Sequence, residues 1–115
     1  MKLKKYVGFE NFVIPIDEVS EISIKDLDEF YLEGNCFDKF NLFFILLNEY
    51  HYISGLTPAR NKELSVVCHL ISYYLFVLAT PPASLNLAQV YAEKALEYYE
   101  SPQNIEWIEM VKKGN

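Results

Sequence analysis

Between residues 36 and 53 apolar side chains return every three or four positions. Phe37, Phe40, Phe44, Leu47 and His51 fall on one stripe, which Phe43, Leu46 and Tyr50 broaden. That period predicts a helix that lays one side on a core and ends at Gly55. Thr57-Pro58 then reads as the opening of the next helix, a threonine cap followed by a proline whose missing N–H costs nothing in a first turn. This third helix, expected over 58–80, is apolar all round from Leu64 to Ala79, interrupted only by Ser65, His69 and Ser72. A membrane span needs about 20 apolar residues, and this run is shorter and carries a histidine, so the pattern predicts the central helix of a bundle. Pro81-Pro82 stop it. Ser84 or Asn86 is expected to cap a helix over Leu87–Glu100, with Leu87, Tyr91, Ala95 and Tyr98/Tyr99 on its inner stripe. Ser101-Pro102 repeats the cap-plus-proline signal for a last helix to about Lys112, amphipathic through Ile105, Ile108 and Val111, with Lys112 and Lys113 at its negative end.

The amino-terminal part is patterned differently. From Tyr6 to Ile16, Phe12, Ile14 and Ile16 alternate with Val13 and Pro15, which predicts an extended arm or an edge strand, because proline is denied a central strand position. Ser23 and Asp26 have the spacing of a capping box. Ile24, Leu27 and Tyr31 then share a stripe, Asp28, Glu29 and Glu33 face elsewhere, and Gly34 is expected to supply a left-handed stop. The fold class is therefore mainly α: a small bundle of about four to five helices around a central apolar one, with an extended arm. It forms a single domain over 1–115, with the arm in 1–20 and the bundle in 23–113.

Composition sharpens this picture. Apolar residues make up 51% of the 115, too many for a disordered chain, and four glycines are too few for a fold built on tight β-turns. Nine tyrosines and eight phenylalanines are more than a core alone needs and hint at a binding face. The net charge of −6 is concentrated. Asp17, Glu18, Glu21, Asp26, Asp28, Glu29 and Glu33 stand against the single base Lys25, so this segment equals the whole excess. With only one arginine, Arg60, the chain lacks the basic footprint that nucleic acid demands, and an acidic face suits a basic protein partner.

Little catalytic chemistry is legible. Cys36 and Cys68 lie in apolar stretches and read as reduced, buried core thiols, which points to the cytoplasm, as does the absence of an apolar run after the basic Met1–Lys5. Cys68 and His69 are adjacent, so on a helix their side chains diverge by about 100° and form no dyad. No CxxC, HxxxH or ExxH pair sets two ligands on one face, and no glycine interrupts the acidic run as a calcium loop requires, so neither metal nor cofactor is expected. His69 reads as a core histidine with one hydrogen bond, and His51 as a residue at the carbonyl end of its helix. No phosphate loop or nucleophile elbow is present.

Within Leu87–Val111, the stretch Leu-Ala-Gln-Val-Tyr-Ala-Glu-Lys-Ala-Leu-Glu-Tyr-Tyr-Glu-Ser-Pro-Gln-Asn-Ile-Glu, which starts at Leu87, resembles the second helix of a tetratricopeptide repeat, with Ala88, Tyr91, Ala95 and Pro102 at its packing positions. There is no second copy at the repeat's period. In type, a small, acidic, aromatic-rich helical protein without a catalytic site also resembles the immunity proteins that neutralise bacterial toxins. That resemblance implies an acidic surface that plugs a basic toxin such as a nuclease. The expected function is thus non-catalytic protein binding through Asp17, Glu18, Glu21, Asp26, Asp28, Glu29, Phe30, Tyr31 and Glu33, with no direct contact to nucleic acid or membrane. A helical, repeat-like adaptor or regulatory module, or a small-ligand binder or enzyme whose site is formed only by the fold, are the alternatives.

Overall fold

The computed structural model describes residues 2–7 and 13–114. A short 3-10 helix, Lys2–Tyr6, precedes six α-helices: α1 (Ile16–Val19), α2 (Ile24–Glu33), α3 (Cys36–Ser54), α4 (Asn61–Tyr73), α5 (Ser84–Tyr98) and α6 (Pro102–Lys113). The chain is mainly α, as its periodicity requires. The expected arm or edge strand is not what the described residues form. Tyr6 lies in the 3-10 helix and Ile16 opens α1, 13–15 have no regular structure, and 8–12, with Phe12, fall outside the described residues. The physical reason is that a strand needs a partner for its N–H and C=O groups, and none of the described residues forms a strand to pair with.

Local capping sets most boundaries. At α2 the capping box forms: Ser23 N–H donates to Asp26 Oδ2 at 2.9 Å and Asp26 N–H to Ser23 Oγ at 3.4 Å. Asn35 caps α3, accepting from Asp38 N at 2.8 Å, and Ser101 caps α6, accepting from Asn104 N at 3.2 Å, with Pro102 in the first turn. Three local expectations fail. Gly34 is extended (φ −76°, ψ 153°) rather than left-handed; a Cβ there would lie 2.9 Å from the Phe30 carbonyl oxygen, so close approach requires the glycine. Thr57-Pro58 does not open α4. The helix starts three residues later, and Arg60 in the linker reaches Glu63 at 3.1 Å. Ser84 is not a cap but the first residue of α5, and its hydroxyl donates to the Leu75 carbonyl at 3.0 Å.

That carbonyl belongs to the end of the central helix. Beyond Tyr73 the α4 rod widens into a π-helical turn, Tyr74–Leu78, where Ala79 N–H bonds the Tyr74 carbonyl five residues back. Up to that point α4 is central as expected: it buries Leu64, Ser65, Val67, Cys68, Leu70, Ile71 and Ser72 and packs on α1, α2, α3 and α5. The radius of gyration, 13.4 Å, is that of a compact chain of this length. The thinnest dimension, 21 Å, is about two helix diameters, which leaves the outer faces of flanking helices in solvent.

Two hydrogen-bond relays lock α4, α5 and α6 together. Asn104 Nδ2 donates to Ser65 Oγ at 2.7 Å, and Ser65 Oγ donates to the Ala95 carbonyl at 2.8 Å. Two helical turns along, Trp107 Nε1 donates to Ser72 Oγ at 2.7 Å, which donates to the Ala88 carbonyl at 2.6 Å. Ser65 meets Ala95 while Ser72 meets Ala88, so α4 and α5 run antiparallel. The small side chains of Ala88, Ala92 and Ala95, all buried, let the backbones approach closely enough for a serine hydroxyl to reach across. Ala95 lies on the inner stripe as expected, joined by Ala88 and Ala92, with Tyr91 and Tyr98 packed at its edge; Leu87 and Tyr99, also expected there, are exposed. In α6 the inner face is Asn104, Trp107, Ile108 and Val111, and Ile105 points outward.

Candidate functional site

The acidic run from Asp17 to Glu33 does not form one face. Glu18 Oε1 sits 3.2 Å from Lys5 Nζ and accepts from the Tyr6 hydroxyl, tying α1 to the 3-10 helix. Asp17 lies 3.9 Å from Arg60 with its side chain in solvent. Asp26 serves the α2 cap, and Asp28 accepts from the Tyr73 hydroxyl at 2.6 Å. The phenol of Tyr73 is accordingly pushed up to about 12, by burial first and by Asp28 second. Glu21 is exposed in the α1–α2 connection, and Glu29 and Glu33 are exposed on α2. The two aromatic residues of the predicted surface also divide. Phe30 is fully buried, because Leu27 and Phe30 form the inner stripe of α2, and so it cannot anchor a partner. Tyr31 is half-buried, edge-on to Tyr74 at 6.0 Å, with Lys39 Nζ 4.3 Å above its ring.

The aromatic surface lies instead on α3. Its inward face is Leu42, Ile45, Leu46, Glu49 and Ile53, so the stripe expected to be core, Phe37, Phe40 and Phe44, faces out, with 56%, 70% and 45% of their surfaces exposed. Phe40 and Phe44 pack edge-to-face at 5.2 Å, and Phe44 meets Phe43 at 5.8 Å. Together with Tyr74, Leu75, Pro81 and Leu87 they line a groove of about 330 Å³ that is almost free of polar atoms. Its floor is the π-helical turn, a distortion that recurs at functional sites. Cys36, expected in the core, is exposed at the start of α3, beside the groove-forming turn of phenylalanines. Cys68 is buried, and its thiol is pushed up to about 12 by desolvation, which leaves it no nucleophilic character at neutral pH.

A second concavity opens beside His69. The imidazole Nδ1 lies 2.8 Å from Asn104 Oδ1 and its ring is 5.4 Å from that of Trp107. Burial lowers its pKa, opposed by the Asn104 bond. The single hydrogen bond is as expected, but the ring is half-buried at the rim of the concavity rather than enclosed in the core, because α6 covers it only on the Asn104 and Trp107 side; its partner, Asn104, carried no recognisable signal. Among the described residues no group of three or more His, Cys, Asp or Glu side chains is arranged to hold a metal ion, and no helix is long and apolar enough to cross a membrane. The chain matches no family model, no curated protein and no solved structure.

Proposed function

We propose that this chain is a non-catalytic protein-binding domain that seats a basic protein on the outer face of α3, in the manner of a cytoplasmic inhibitor or immunity protein for a basic toxin such as a nuclease. The observation that carries the reading is the exposure of Phe40 and Phe44 along an apolar groove, with Phe37 exposed on the preceding turn of α3. Contiguous exposed aromatic surface is costly in a lone domain and marks an interaction site. Large rings in a groove are the usual energetic centre of an interface, each worth about 2 kcal/mol or more once desolvated. The choice of a basic partner rests on the charge around the groove: Glu29 and Glu33 are exposed on the helix leading into α3, Asp38 stands in its first turn, and the chain carries −6, while Lys39, the one charged residue among the described ones that line the groove, holds its ammonium over the Tyr31 ring. Charges of this sort steer association, and the rings hold the complex.

The test compares what wild type, Phe40→Ser/Phe44→Ser and Glu29→Lys/Glu33→Lys capture from native lysate, with thermal melting as the folding control. The reading requires a basic protein retained by wild type and lost to the aromatic variant, and slower association at low salt with the charge variant. A captured set identical in all three would overturn it. So would light scattering that shows a wild-type dimer which Phe40→Ser converts to a monomer, because the groove would then serve a second copy of the chain.

A further inference from the structure

The concavity beside His69 has a volume of about 550 Å³, within the range of small-molecule sites. It lies between the α1–α2 connection, α4 and the start of α6. Lys62, Val66 and His69 line it at positions i, i+4 and i+7 of α4, so the lysine and the histidine are rooted on one stripe two turns apart, roughly 10 Å along the axis, and the Lys62 ammonium sits 5.2 Å from the centroid of the Tyr99 ring, which also borders the cleft. Between and beside them are Val66, Leu70 and Ile24. Lys62 is the only charged residue among the described ones that line the cleft; no carboxylate does, in a chain with sixteen. The amino end of α6 also borders it, without an acidic residue in its first turn.

The hydrogen-bond network fixes which face His69 presents. Asn104 Nδ2 shares its two hydrogens among three acceptors, the carbonyls of Tyr99 at 2.8 Å and Ala95 at 3.2 Å and Ser65 Oγ at 2.7 Å. The amide nitrogen is therefore placed by acceptors on three sides, and Asn104 Oδ1 is left as an acceptor. His69 Nδ1 must donate to it, and the neutral imidazole then carries a bare lone pair on Nε2. No described group hydrogen-bonds Nε2.

From this arrangement we infer that the cleft binds a small organic acid. Its negative group lies beside Lys62, its apolar, ring-sized body runs over Val66, Leu70 and Ile24, and an O–H or N–H at its far end donates to His69 Nε2. A hydrogen bond at one end and an ion pair at the other, from residues rooted two helical turns apart, suit a para-substituted aromatic acid. Neither Lys62 nor His69 belongs to the α3 face, so this site stands independently of the protein-binding one.

The probes are 4-hydroxyphenylacetate, phenylacetate (no donor) and 4-hydroxyphenylethanol (no charge), each titrated to about 10 mM into isotopically labelled protein and followed by amide NMR. The expected result is saturable shifts at Val66, Leu70 and Gln103 with 4-hydroxyphenylacetate, and affinity at least about fivefold weaker for each of the other two. Lys62→Met, a change at an exposed position, should weaken 4-hydroxyphenylacetate by a similar factor and leave 4-hydroxyphenylethanol unchanged. Equal affinity for all three probes would reduce the cleft to a greasy surface and overturn the proposal. Unsaturable shifts, shifts confined to the α3 groove, or undiminished binding of the acid by Lys62→Met would do the same.

Discussion

Replacing Asn104 with leucine isolates what the first relay contributes. The two side chains are of similar volume, so little cavity opens in this buried position, and the loss is polar. Four polar contacts disappear, at 2.7, 2.8 and 3.2 Å from the two-hydrogen Nδ2 and 2.8 Å to Oδ1. Two of them leave satisfied partners behind: the Ala95 carbonyl keeps the Ser65 hydroxyl at 2.8 Å, and Ser65 loses only an incoming donor. The other two orphan the Tyr99 carbonyl and the His69 Nδ1–H. A buried group left unpaired costs about 1–3 kcal/mol. Tyr99 lies at an exposed helix end where water can reach its carbonyl, so its share falls at the bottom of that range. The expected loss is about 2–4 kcal/mol, which at about 4 °C per kcal/mol lowers Tm by roughly 8–16 °C. Circular dichroism melts and urea titrations of Asn104→Leu measure it, with Asn86→Leu on the exposed side of α5 as a control that should stay within about 0.5 kcal/mol. The slowly exchanging His69 Nδ1 proton should also vanish from the NMR spectrum. A variant that melts within about 3 °C of wild type would mean that the relay is decoration and that apolar packing alone joins α6 to the bundle.

Glu49 faces the core, 3% exposed; its Oε1 accepts from Ile14 N at 3.3 Å, and its Oε2 has no partner among the described residues. Burial raises its pKa above the ordinary 4.5, so the folded state holds the proton longer than the unfolded one, and this group's contribution declines as pH climbs from 4.5 through the folded value. Glu49→Gln should therefore gain on wild type between pH 4.5 and 7.5 in urea titrations; a difference flat with pH would refute the assignment. A thiol reagent should label one cysteine, Cys36, rapidly in native protein and the second, Cys68, only on unfolding, and mass spectrometry of Cys36→Ser should then find no native labelling. Gly34→Ala should cost about 1 kcal/mol or more by forcing the α2–α3 junction apart from the Phe30 carbonyl, although φ there is ordinary; an unchanged midpoint would show that the junction yields freely.

Features that depend on a few neighbouring residues were legible in the sequence. Ser23 with Asp26, and Ser101 with Pro102, form the caps their spacing announces, because a cap involves only the chain within one turn. The centrality of α4 was equally readable: a segment apolar on every side has no face to give to water, so other helices must surround it. The same property defeated the reading of α3. Leu, Ile and Phe occur around nearly its whole circumference, so periodicity cannot say which side is buried, and the inward stripe holds a glutamate where apolar residues are sought. Only contact with α4 selected Leu42, Ile45, Leu46 and Ile53, and that choice turned Phe37, Phe40 and Phe44 out to solvent and left Cys36 exposed. The acidic run was broken up for a related reason. Its partners Lys5, Tyr6, Arg60 and Tyr73 are 12 to 45 residues distant, so which carboxylates are consumed depends on how the helices are placed. Asn104 lies in a solvent-like stretch of sequence, yet it closes a relay through Ser65 to the Ala95 carbonyl. Local backbone chemistry thus determined the helices and their ends, while the docking of α3, α5 and α6 on α4 decided which side chains meet the solvent, one another and any ligand.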